Sequence, residues 1–270
     1  MKRALVYSVS HTGTWFVINL LMSTSRDAIE CGDAQVRRWG RGKDLIKHLE
    51  TMSVNKNWFV NGVRKYIPEE ERNHDLYILN CHHYNQYSPL LNHLRTGQLI
   101  EGTPIAVPVR DPLLSVNTVI WKRWRDYKRF VKDDKDQTRL DRIKIQVQLL
   151  KDMLMLPPNM VYLFPIDLYT DLEQRKTVGY GLLNFCGLQP SMKTHKYIAN
   201  WKPENKTTQA DIVVSKPHDH SQFIKIKNCY RRGDAKTVRE LLPIEFDYLH
   251  SRDDLKALLR NIGYKDMLWW

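Results

Sequence analysis

Apolar runs too short for helices alternate along this chain with longer segments of helical period. The first run, Ala4-Leu5-Val6-Tyr7, reads as a buried strand. A polar stretch from Ser8 to Gly13 follows, and apolar residues then return at helical spacing, with Trp15, Ile18, Leu21 and Met22 on one face. Further strands are predicted at Leu76-Tyr77-Ile78-Leu79, at Pro104-Ile105-Ala106-Val107-Pro108-Val109 and at Met160-Val161-Tyr162-Leu163-Phe164. Pro108 is awkward in a central strand because it has no N–H for the ladder. Helical patterns run from Leu113 to about Phe130, from Leu140 to Leu156 ahead of Pro157-Pro158, and from Leu172 to Gly187. One or two more follow Thr237 and end near Gly263, and shorter ones are predicted within 37–52 and 89–94. Pro68 ahead of Glu69-Glu70-Glu71 is a helix-start signal, but 53–75 otherwise reads as irregular, and 188–222 reads as a long loop. Strands alternating with helices imply an α/β fold: a single domain over residues 1–270, with a central parallel sheet flanked by helices.

Composition narrows the partners. No apolar run approaches the ~20 residues that cross a bilayer. Met1-Lys2-Arg3 with so few apolar residues after it reads as the lead-in to a strand and not as a signal peptide. Cys31, Cys81, Cys186 and Cys229 lie far apart with no C-x-x-C spacing, so neither a disulfide framework nor a metal site is expected, and a reduced, cytoplasmic protein is. The formal net charge of +12 favours an anionic partner: nucleic acid, anionic membrane, polyanionic sugar or a multiply phosphorylated cofactor.

Candidate chemistry gathers after the strands. In parallel α/β sheets ligands sit beyond the carboxyl ends of the strands. The first strand is followed by Ser10-His11-Thr12-Gly13-Thr14, a small-residue loop entering a helix, where unpaired backbone N–H groups make an anion cradle. The second ends in His82-His83 and the third in Arg110-Asp111-Pro112, while Tyr230-Arg231-Arg232-Gly233-Asp234 is a late basic turn. If the strands are neighbours, these groups meet in one cleft. The loop lacks GxxxxGK[ST], so it is not the nucleoside-triphosphate P-loop. Each group also has an ordinary structural reading: paired histidines that cap a strand, an arginine paired with an acid such as Asp126, a solvated basic turn. Trp121 to Arg129 interleaves aromatics with cations, and reads either as an amphipathic helix or as a wall for an acceptor.

These segments resemble, in order, those of the sulfotransferases that use 3′-phosphoadenosine-5′-phosphosulfate (PAPS). That family's PKSGTTW-like loop corresponds to Ser10-His11-Thr12-Gly13-Thr14-Trp15-Phe16. Its RxP arginine with a hydroxyl eight residues on corresponds to Arg110 and Thr118, and its late RKG-like turn to Arg231-Arg232-Gly233. Its YEDL…FLGL stretch resembles Ile166-Asp167-Leu168 through Phe185-Cys186-Gly187-Leu188, with Pro165 where the tyrosine is expected.

The resemblance implies a P-loop-like phosphosulfate loop after the first strand and transfer of a sulfuryl group from PAPS to an acceptor hydroxyl or amine. The product is adenosine 3′,5′-bisphosphate, the acceptor is a small molecule or carbohydrate, and no metal is needed. Ser10, His11, Thr12, Gly13, Thr14 and Trp15 would hold the 5′ end of the cofactor. Arg110, Thr118, Arg231, Arg232 and Gly233 would hold its 3′-phosphate. His83 or His82 would be the base, an imidazole suiting that task near neutral pH. His11 replaces the loop lysine that supports the leaving phosphate, a role that requires it protonated. The acceptor would be met by loops within 53–75, 84–100 and 120–140. The competing class is a basic nucleotide- or nucleic-acid-binding module without catalysis, for which no RRM, KH or zinc-finger pattern appears. A P-loop phosphotransferase is a third class, disfavoured by the missing GK[ST].

Overall fold

The computed structural model describes residues 2–9, 13–31, 56–60, 63–67, 75–83, 103–115, 135–170, 172–200, 225–226, 228–230, 232–264 and 270. They fall in two compact units, one formed by 1–109 with 148–201, the other by 110–147 with 202–270.

The first unit is built on a sheet. Its strands are β1 (Lys2–Val9), β2 (Ala28–Cys31), β3 (Lys56–Val60), β4 (Val63–Ile67), β5 (Leu76–His83), β6 (Ile105–Val109) and β7 (Val161–Pro165), in the order β4-β3-β2-β5-β1-β6-β7. From β2 to β7 every neighbouring pair is parallel; β3 and β4 add an antiparallel hairpin at one edge. The central parallel sheet expected of the sequence is therefore present. Strand β1 lies at its centre, paired with β5 from Lys2↔Leu76 to Val9↔His83. From Ala4 to Val9 it is buried on both faces, which is why it reads as a continuous apolar run.

Helix α1 (Thr14–Met22) follows β1 and buries Phe16, Val17, Ile18, Leu20 and Leu21. The sequence places Trp15 with the buried face; it is instead 60% exposed, and Phe16 is the aromatic in the core. Phe16 stacks on Tyr197 with centroids 5.3 Å apart and tilts against Phe164 at 5.7 Å. Helix α2 (Lys135–Leu154) precedes β7. A 3₁₀ turn (Ile166–Thr170) then leads to α3 (Leu172–Phe185) and α4 (Met192–Asn200). Ala4, Val6, Ile78, Ala106 and Phe164 from the sheet pack with Val17, Leu20, Leu182, Leu183 and Ile198 in one core. No helix among the described residues is long and apolar enough to cross a membrane.

Three expectations are corrected. Helix α4 occupies part of the stretch 188–222 that reads as loop, because its only buried positions are Thr194 and Ile198 and one of those is polar. Strands β3 and β4 occupy part of 53–75, which reads as irregular. The carboxyl-terminal segment holds three helices where one or two are expected: α5 (Ala235–Leu241), α6 (Pro243–His250) and α7 (Asp253–Asn261). Helix α5 ends at Leu241; Leu242 alone separates it from Pro243 at the first turn of α6, which splits what periodicity joins. The helices predicted within 37–52 and 89–94, the Pro68 signal and residues 116–130 lie outside the described residues.

The second unit buries Leu113, Ile143, Val147, Ile226, Tyr230, Val238, Phe246, Leu249, Leu259, Tyr264 and Trp270. Its Glu245 is 0% exposed and paired with Arg139 across the core of that unit.

Candidate anion-binding site

In the sheet, the strand that follows β1 and α1, β2, lies towards one edge from β1, while the strand that follows β6, β7, lies towards the other. That reversal is the switch point at which ligands enter open α/β sheets. Pro108 shapes it. The β1–β6 register pairs Leu5↔Ile105 and Val6↔Ala106. The Ile105 N–H donates to the Met160 carbonyl on the β7 side. Because N–H groups alternate along a strand, the Pro108 nitrogen faces β1, where it has no proton to give. The ladder to β1 stops before it while pairing with β7 continues through Pro108↔Phe164. The proline that is awkward in the sequence opens the carboxyl ends of β1 and β6.

The loop after β1 enters α1 through Gly13, whose φ of 95° is left-handed. Its carbonyl accepts from the N–H groups of Phe16 (3.0 Å) and Val17 (3.3 Å). A Cβ at this position would sit 2.6 Å from Ile166 Cγ1, so both the φ and the space demand glycine. The N–H groups of Thr14 and Trp15 have no acceptor among the described residues, and the first turn of α1 holds no acid. The dipole and these two donors therefore favour an anion at the helix start. The Ser8 and Thr14 hydroxyls are 2.6 Å apart and buried, which fixes the strand end to the first helical turn. His82 and His83 are opposite Ser8 and Val9 in the β1–β5 register, at the same end of the sheet.

In the second unit, Arg110 is half-buried and its carbonyl accepts from Gln146 Nε2. Asp111, 0% exposed, follows it. Its Oδ1 accepts from the N–H groups of Leu113 (2.9 Å) and Leu114 (3.4 Å), capping a helical turn at 112–115. The late basic turn is a helix terminus. The Gly233 N–H donates to the Tyr230 carbonyl and the Asp234 N–H to that of Cys229, a Schellman closure with Gly233 at φ 68°. Asp234 then caps α5 by accepting from the Thr237 N–H at 3.1 Å. That bond, aided by the nearby charge of Arg232, holds the Asp234 carboxyl below its usual range. Arg232 is exposed, with Nη2 3.6 Å from Cys229 Sγ.

The structure thus describes Gly13, Thr14, Trp15, Arg110, Arg232 and Gly233, and the backbone of His82 and His83. Ser10, His11, Thr12, Thr118 and Arg231 lie outside the described residues. Within the first unit Gly13 to Trp15 share the sheet end with the two histidines. Within the second, Asp111 joins the segment of Arg110 to the segment ending in Tyr230, the residue before Arg231. Three residues of the arrangement escape pattern reading. Ile166 packs against Gly13 but looks like an ordinary apolar position in the sequence, and Pro108 stands out there only as an awkward strand residue, not as the end of a ladder. Asp111 was visible only as the middle of an Arg-Asp-Pro string.

No protein-family model matches the chain, and no curated protein does. Among solved structures it is similar to a sulfotransferase domain from the curacin biosynthetic pathway, at 12% identity and a TM-score of 0.44 over 79% of this chain and 82% of that one. It is also similar to the mouse sulfotransferase SULT7A1 complexed with PAP, at 12% identity and a TM-score of 0.46 over 93% of this chain and 89% of that one. Likenesses of this strength assign neither an activity nor a ligand.

Proposed function

We propose that this chain is a sulfotransferase that uses PAPS to modify an acceptor hydroxyl or amine on a small molecule or carbohydrate, all 270 residues serving that one activity. The observation that carries the reading is the Gly13 turn at the end of β1. It offers the Thr14 and Trp15 N–H groups, with no acceptor among the described residues, at the switch point. The described groups fit a phosphosulfate: neutral donors at a helix start, no competing acid, and a wall of Ile166 behind the glycine.

PAPS, when bound, supplies the sulfuryl group. Ser10, Thr12 and the N–H groups from Gly13 to Trp15 hold its 5′ end, and the exposed Trp15 indole offers a face for stacking. Arg110, Thr118, Arg231, Arg232 and the Gly233 backbone hold its 3′-phosphate, the guanidinium as a charge-assisted fork. His83 or His82 takes the proton of the acceptor. His11, protonated, donates to the bridging oxygen as the bond to sulfur breaks. The sulfate oxygens are neutralised by fixed backbone dipoles, so the residues in these roles call for no divalent ion.

A thermal-shift screen tests this. Adenosine 3′,5′-bisphosphate in the presence of a chelator should raise the melting temperature. Stabilisation only by ATP with magnesium would replace the reading with phosphoryl transfer. Stabilisation only by single-stranded oligonucleotide would replace it with a basic nucleic-acid-binding module.

A further inference from the structure

Asp111 does more than cap a helical turn. One carboxylate oxygen suffices for that, and Oδ1 serves it. The other, Oδ2, accepts from the Tyr230 hydroxyl at 2.5 Å and from Trp270 Nε1 at 2.9 Å. Tyr230 and Trp270 are 3% and 1% exposed, so both bonds are out of water. Trp270 is in turn covered by the ammonium of Lys256, 5.8 Å from its ring centre. The four donors named here all point at a group that only accepts, which is what an ionised carboxylate offers.

Two of the three segments joined lead into cations of the proposed site. Arg110 precedes Asp111 in the chain and has its carbonyl fixed by Gln146. Tyr230 precedes Arg231, and its carbonyl accepts the Gly233 N–H that closes the basic turn. One buried carboxylate thus ties the segment of Arg110 to the helical turn that Gly233 closes, and also accepts from Trp270.

We infer that Asp111 is a positioning residue for 3′-phosphate recognition, with Tyr230 and Trp270 as its clamps. It touches no ligand; it joins the segment that carries Arg110 to the one that leads into the Arg232 turn, so that both can serve one phosphate. This inference rests on the proposed function. A carboxylate that only stabilised the fold would affect every nucleotide alike. A positioning carboxylate affects nucleotides that carry the 3′-phosphate and spares those that lack it.

The test is calorimetric titration of the wild-type chain and of Asp111→Asn, Tyr230→Phe and Trp270→Phe with two probes, adenosine 3′,5′-bisphosphate and adenosine 5′-monophosphate. Circular dichroism first fixes a temperature at which each variant is folded. Asparagine presents an amide donor to donors, so Asp111→Asn perturbs both clamps. Tyr230→Phe removes one hydroxyl without changing shape and decides the matter if Asp111→Asn does not fold. The expected result for Tyr230→Phe is about a ten-fold loss for the bisphosphate, the scale of one hydrogen bond to a charged acceptor, with the monophosphate nearly unchanged. Equal losses for both probes, or an unchanged preference, would overturn the positioning role. A wild-type chain with no preference for the bisphosphate would instead overturn the functional reading, and this inference with it.

Discussion

At position 13 two independent constraints select one residue. The backbone is left-handed at φ 95°, and a Cβ would lie 2.6 Å from Ile166 Cγ1. Gly13→Ala should therefore cost roughly 1–2 kcal/mol for the φ alone and more for the contact, read as a lower urea midpoint. Adding Ile166→Ala should return the steric part and leave the conformational part; a double variant no better than the single one would contradict this. Cys186 makes a second prediction. Burial pushes its thiol up to about 12, against 9.0 for an ordinary one. The folded state therefore keeps a proton that the unfolded chain loses, so stability is complete below pH 9 and falls as pH rises from there towards 12. Tyr162 and Tyr197 are raised from 10.0 by burial and add to the loss only above that value. Cys186→Ala should move the onset of alkaline destabilisation from about pH 9 to about pH 10 in a series of urea titrations. At this scale the sequence revealed the chemistry but not its supports. Gly13 and Arg110 stand out because a small-residue loop entering a helix and an arginine at a strand end are local patterns, readable without contacts. Ile166, Tyr230 and Trp270 act through contacts of long sequence separation, which no local pattern encodes.

At the scale of elements, β1 and β6 were legible because strands buried on both faces are apolar without alternation, and β5 and β7 from equally short apolar runs. Helices α1 and α3 were legible from their period. What escaped was short or shallow. Helix α4 is held mainly by polar bonds: Ser191 Oγ and Thr194 Oγ1 both donate to the Ser23 carbonyl, at 2.6 and 3.0 Å, and Ser191 Oγ accepts the N–H groups of Lys193 and Thr194. Hydrophobic periodicity has little to detect there, since only Ile198 and the half-buried Tyr197 meet the core. The β3–β4 hairpin had a signal that went unread: the strands flank Asn61-Gly62, the pair that favours two-residue hairpin turns. Pro108 carries the prediction at this scale. Pro108→Ala supplies an N–H facing β1, so the β1–β6 ladder can extend towards its carboxyl end and narrow the switch point. Stability should stay within about 1 kcal/mol of wild type, while affinity for adenosine 3′,5′-bisphosphate drops several-fold. Unchanged affinity would detach the proline from the site.

For the molecule as a whole, a charge of +12 favours an anionic partner without saying which anion. The fold narrows the choice, since an uncapped helix start at the switch point of a parallel sheet suits a compact phosphate or sulfate ester better than an extended polyanion. The α/β class was readable from the alternation of elements. The separation into two compact units was not, because the second takes its residues from 110–147 and 202–270 and no linker composition marks the joins. The proposed function requires that this chain bind a nucleotide bearing a 3′-phosphate, without a metal ion, through Arg110. The most direct measurement is calorimetric titration of adenosine 3′,5′-bisphosphate into the wild-type chain and into Arg110→Ala, with chelator present. One site is expected on the wild-type chain, with an affinity lower by about 10- to 100-fold in the variant, the scale of a charge-assisted bond. Equal affinity in the two proteins, or no binding until magnesium is added, would contradict it.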